Sequence, residues 1–205
     1  METKKQQELR AVEFKDGILW LEDLVEDCLD FSNKDTVLVR DNLHQLLMIS
    51  TKENIATAEF QDLNQRQVTE AKRPDNLVKG IIFDIIFYES TECIKDCKFK
   101  DSVFPVSFAV KCNSKRYQMS CSKSNNIEFL EQNTPEDEIV DGSKRNIIFH
   151  MENYMGQFSR FESEVARDHW LCTEFVNGLY KLALKKVQVD NDEGTLLEVS
   201  SCSPN

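Results

Sequence analysis

The chain has 205 residues, 40% of them hydrophobic and 30% charged, with a formal net charge of −11 and only six Gly and four Pro. That length suits one domain plus an appendage, large enough to bury a core without staples, and the composition is neither collagen-like nor low-complexity. The acidity argues against nucleic acid and anionic membranes as partners, because both reward clustered Lys and Arg; an acidic ligand is instead steered toward a basic protein surface.

The amino terminus, METKKQQELRAVEF, is interrupted throughout by charge and so lacks the apolar stretch of a secretory signal. No segment approaches the roughly 20 apolar residues of a membrane span. Synthesis in the cytosol is expected. Residues 12–21 read as a hairpin about Asp16-Gly17, in competition with a short helix over 6–14, and an acidic run follows over 22–30.

Beyond it, short strand-like stretches rich in β-branched and aromatic residues recur about every ten residues: 37–40, 46–50, 58–60, 81–88, 106–111, 116–121, 127–130, 146–150, 158–162, 169–173, 179–185 and 195–199. Val106, Phe108 and Val110 alternate with Ser107, Ala109 and Lys111, the period of a strand. Polar turn chemistry separates the stretches, and Asn177-Gly178, which favours positive φ, is a strong hairpin signal. Helical spacing is limited to short pieces such as 65–71. The fold class is all-β, as a sandwich or barrel.

Catalytic chemistry finds little support. The histidines, His44, His150 and His169, are scattered, and no GxSxG, GxGxxG, P-loop or HExxH string occurs. His150 and His169 read as strand-end residues rather than bases. Seven cysteines are an odd number, expected as reduced thiols; Cys93 and Cys97 have no second pair at metal-ligand spacing. Neither a catalytic residue, a metal nor a cofactor is predicted.

From Asp35 onward the chain resembles the interleukin-1 cytokine family. The resemblance is carried by VLVRDNLHQLLMI (37–49), AEFQDL (58–63), VSFAVKC (106–112), MSC (119–121), SKRNIIFH (143–150), FSRFESE (158–164) and LYKLALKK (179–186), in the family's order and at similar spacing. The last is the most specific, and VEFKDGILWLED (12–23) is similar to a propiece hairpin of the family. The resemblance implies a β-trefoil of about twelve short strands, six in a barrel and six in a cap, over residues 31–205. Residues 1–30 would then be a propiece with a hairpin and an acidic loop.

The resemblance also implies a pro-inflammatory ligand, monomeric, that binds a primary receptor chain and then recruits an accessory chain, with a soluble binding protein as a further partner. Carried over by position, Arg40 engages the primary chain, His44 and Leu63 occupy neighbouring contact positions with different residue types, and Lys123 and Asn146 fall near the accessory-chain face. The precursor would be cut by an inflammatory caspase after Asp27, in Leu24-Val25-Glu26-Asp27, or after Asp30, and would then leave the cell without a signal peptide. A heparin-binding growth-factor trefoil would need a basic cluster, a trefoil protease inhibitor a disulfide-braced loop, and a hydrolase a nucleophile beside a histidine; each is a weaker reading of this sequence.

Overall fold

The computed structural model describes residues 9–15, 18–23, 29–53, 55–71, 80–90, 103–132, 139–140, 142–187 and 192–202. Two strands, β1 (Leu9–Lys15) and β2 (Ile18–Asp23), pair antiparallel as a hairpin in a sheet of their own. The hairpin reading of 12–21 therefore prevails over a helix across 9–14, while Asp16 and Gly17 lie outside the described residues.

The remaining strands follow in order: β3 (Leu29–Asp41), β4 (Leu46–Lys52), β5 (Ile55–Gln61), β6 (Phe83–Ser90), β7 (Val103–Cys112), β8 (Lys115–Cys121), β9 (Ile127–Glu131), β10 (Ile139–Val140), β11 (Phe149–Tyr154), β12 (Phe158–Ser163), β13 (His169–Val176), β14 (Leu179–Lys186) and β15 (Leu197–Ser201). One short helix, α1 (Gln65–Ala71), forms where helical spacing predicted it.

The pairings close a barrel. β3 pairs with β6, β6 with β7, β7 with β11, β11 with β12, β12 with β15, and β15 returns to β3, all antiparallel. Closure removes the exposed edges that an open sheet would present. Three hairpins, β4–β5, β8–β9 and β13–β14, stand outside this ring. Their second strands β5, β9 and β14 touch one another pairwise, so the three meet over one end of the barrel. Six barrel strands and three capping hairpins are a β-trefoil, with the two-residue β10 an addition to it.

The interior is filled from both layers. Val37, Val39, Phe83, Ile85, Val106, Phe108, Val110, Phe149, Phe161 and Leu197 come from the barrel; Leu47, Ile49, Phe60, Tyr117, Met119, Phe129, Leu171 and Leu182 come from the hairpins. Phe108 sits at the centre, edge-on to Phe149 and Phe161 at centroid distances of 6.3 and 5.1 Å, the arrangement that ring quadrupoles favour. The alternate face of β7 is buried too: Ser107 Oγ and Tyr88 OH share a hydrogen bond of 3.0 Å. Asn177 and Gly178 have φ of 54° and 84° between Val176 and Leu179, giving the tight hairpin their residue types predict.

Two predicted strands begin later than expected. Asn146 lies in a 3-10 helix, Gly142–Ile147, and β11 starts only at Phe149. Thr195 likewise ends a 3-10 turn capped by Asp192, whose carboxylate accepts from the Gly194 N–H at 3.1 Å. In both places local turn hydrogen bonds outcompete the strand propensity of the apolar residues that follow.

Candidate functional site

Arg40 and His44 stand at the corner where β3 turns into β4. Asp41 organises that corner: it is fully buried, and its Oδ1 accepts from the N–H groups of Leu43 at 3.0 Å and Gln45 at 2.8 Å. The Asp41 N–H bonds back to the Gln45 carbonyl at 3.0 Å, and the His44 N–H to the Asp41 carbonyl at 3.0 Å. Burial raises the Asp41 pKa above its ordinary value, while the two backbone donors pull it back down. The tight loop forces His44 to φ 62° and pushes Leu43 into solvent, 56% exposed.

The carboxy-terminal strand completes this surface. Arg40 lies opposite Glu198 in the β3–β15 register and donates from Nη1 to Ser200 Oγ at 3.0 Å. His44 Nδ1 lies 3.4 Å from Glu198 Oε2. Arg40, Glu198 and Ser200 on the paired strands β3 and β15, with His44 from the β3–β4 turn, thus form one mixed-charge patch. Sequence reasoning missed Glu198 and Ser200, because their approach depends on a pairing across some 160 positions.

Leu63 is placed differently. It is half-buried after β5 and packs against Leu38, Leu46, Met48 and Ile81 in a small satellite cluster that Val68 of α1 also covers. Its side chain packs onto apolar residues of β3 and β4 rather than standing free on the surface.

Lys123 and Asn146, 23 residues apart in sequence, line one shallow hollow of about 570 Å³ together with Glu128, Leu130, Arg145 and Val165. Lys123 is exposed in the β8–β9 turn, which the Ser122 N–H closes onto the Asn126 carbonyl at 2.8 Å. Asn146 donates from Nδ2 to Ser120 Oγ at 2.7 Å, tying the 3-10 helix to β8. Leu130 and Val165, 49% and 50% exposed, give the hollow apolar walls between two cationic side chains and one anionic one. Such a hollow suits an apolar side chain of a partner, flanked by acidic groups.

Of the predicted processing residues, Asp27 lies outside the described residues. Asp30 is exposed in β3, opposite Glu89 of β6 on one side and Ile139 of β10 on the other. The expected boundary between residues 30 and 31 falls inside this strand.

The histidines are engaged separately. His150 Nε2 bonds Glu164 Oε2, the chief reason the Glu164 carboxyl is held below its usual range. His169 Nδ1 lies 2.9 Å from the Arg167 carbonyl. Cys112, Cys121 and Cys172 are buried, and burial pushes the Cys172 thiol up to about 12, where it is unreactive at neutral pH. Among the described residues no group of three or more His, Cys, Asp or Glu is arranged to hold a metal ion, and no helix is long and apolar enough to cross a membrane.

No protein-family model matches the chain. It is 27% identical over 191 residues to Gallus gallus interleukin-18, covering 89% of this chain and 87% of that protein. It is 29% identical over 108 residues to Bos taurus interleukin-18, covering half of this chain and 54% of the relative. Among solved structures, a Gallus interleukin-1 beta mutant superposes with a TM-score of 0.55 at 14% identity, over 84% of this chain and 99% of the other. A second Gallus interleukin-1 mutant gives 0.56 at 15% identity over the same shares. The structural likeness shows the trefoil fold, and the near full-length sequence match makes this chain similar to interleukin-18.

Proposed function

We propose that this cytokine is made as a latent precursor, is cut by an inflammatory caspase within residues 24–30, and then acts outside the cell as a two-faced ligand. The Arg40–His44–Glu198 patch binds a primary receptor chain, and the Lys123–Asn146 hollow receives an accessory chain. The observation that supports this reading most is the separation of the expected contacts into two built surfaces, one on the β3–β15 pair and one between β8 and the 3-10 helix. A single ligand that presents two such surfaces can hold two receptor chains together. The mixed charge of the first patch supplies orientation and steering, and the apolar walls of the second supply a desolvated anchor point.

Asp27 is the favoured processing residue in this reading, since Asp30 is engaged on both strand edges. Treating the full chain with an inflammatory caspase, with intact mass and a receptor-reporter cell assay as readouts, tests the proposal. One cut after Asp27, with signalling confined to the cut product, is expected. Full activity from uncut chain contradicts latency, and inactivity of the cut product contradicts the ligand role.

A further inference from the structure

Leu29 is only 5% exposed, although it lies at the very start of the trefoil strand order. It packs with Ile86 and Tyr88 of β6 and with Ile148, and Ile147 leans on the same cluster. Ile147 ends the 3-10 helix that carries Arg145 and Asn146. Ile148 is tied on both sides: its N–H donates to the Arg145 carbonyl at 3.1 Å, and its carbonyl accepts from the Glu164 N–H at 3.0 Å. Leu29 therefore shares a packing cluster with Ile147 and Ile148, at the end of the 3-10 helix whose Arg145 and Asn146 line the hollow. The backbone around it is paired at both edges, Leu29 with Ser90 and Val140, and Asp30 with Glu89 and Ile139.

A protease that takes its substrate as an added strand needs a free backbone edge, and a segment paired on both sides must open first. Removing a buried leucine also leaves a cavity that the surroundings fill only partly. We infer that Leu29 is a buried anchor that confines processing to its amino-terminal side and couples the integrity of that strand to the Lys123–Asn146 hollow. The processing half of this inference rests on the caspase reading above; the coupling half rests on packing alone.

The test uses the full chain and two variants, Leu29→Ala and Leu29→Met, with hydrogen exchange read by segment and caspase digestion read by intact mass. In Leu29→Ala, exchange across 144–148 is expected to accelerate by about tenfold or more, while the β13–β14 hairpin is unchanged. The same variant is expected to gain a cut after Asp30 that the wild-type chain resists. Leu29→Met, which refills the site, should match wild type in both respects. Unchanged exchange at 144–148 in Leu29→Ala, or an equal rise across β13 and β14, overturns the coupling, and rapid cutting of the wild type after Asp30 overturns the confinement. A wild-type chain that the caspase leaves whole contradicts the processing reading of the previous section, while the exchange data still decide the anchor.

Discussion

At Asp41 one carboxylate oxygen, Oδ1, closes the β3–β4 corner and the other, Oδ2, has no hydrogen-bond partner among the described residues. A buried charge with a bare oxygen is costly. Because burial raises the folded-state pKa, Asp41 takes up a proton more readily in the folded than in the unfolded protein. The stability this contributes is full below the ordinary value near 3.8 and is lost as pH rises through the higher folded value. Asp41→Asn keeps an oxygen for the two N–H donors and removes the charge. It should stabilise the protein by on the order of 1 kcal/mol at pH 7, with the gain shrinking toward pH 3. Urea unfolding of both proteins at the two pH values checks this; an equal gain or loss at both would show that the charge is not the cause. Glu164 has the opposite sign: held low chiefly by His150, it contributes stability above its ordinary range that fades as pH falls.

Turn residues were legible unevenly at this same scale. Asn177-Gly178 announces its hairpin, and both residues do take positive φ. Asn113-Ser114, between β7 and β8, adopts 50° and 62° with no glycine to signal it. A serine in the left-handed region carries strain of roughly 1 kcal/mol that glycine does not. Ser114→Gly should therefore raise stability slightly, by about 0.5 kcal/mol or less after the entropy of the more flexible unfolded chain is deducted, visible as a higher unfolding midpoint. A fall in the midpoint would mean that the Ser114 side chain contributes more than its backbone costs.

Among the elements, the strands with strict alternation were the easiest to read. Val106, Phe108 and Val110 point into the barrel as their spacing predicts, and Phe108 touches two other phenylalanines there. The other face of β7 was not readable as buried, because Ser107 looks like a solvent residue until Tyr88 is placed beside it. Asn146 illustrates a different failure: the apolar run from Ile147 to Phe149 suggests a strand, yet the residues before it close a 3-10 helix onto β8. That helix, not a strand, brings Asn146 beside Lys123. The resemblance singled out Arg40 by its place in its string, whereas nothing in the sequence pointed to Glu198, which only the β3–β15 pairing brings opposite Arg40. Short-range chemistry was present in the sequence; contacts that depend on closing the barrel were not.

In the whole molecule, the closed six-stranded ring is what makes two separated surfaces rigid at once. β3 and β15, which carry the first patch, pair with each other and each with a further barrel strand. β8, which carries one wall of the hollow, continues from β7 of the same ring. The periodicity implied an all-β domain, and the resemblance implied a trefoil; the three-fold arrangement itself emerges only from the pairings, since no internal repeat is visible in the chain. In the proposed reading, two faces built on one closed ring are presented without rearrangement, which would keep the ordering cost of binding small.

The most direct test of the two-faced ligand is surface-immobilised binding of the processed protein to the primary receptor chain, followed by addition of the accessory chain, for wild type, Arg40→Glu and Lys123→Glu. The account predicts that Arg40→Glu weakens the first step by about tenfold or more, and that Lys123→Glu leaves the first step intact but weakens the second. Equal loss of both steps in each variant, or no loss in either, would contradict the assignment of separate faces to separate receptor chains.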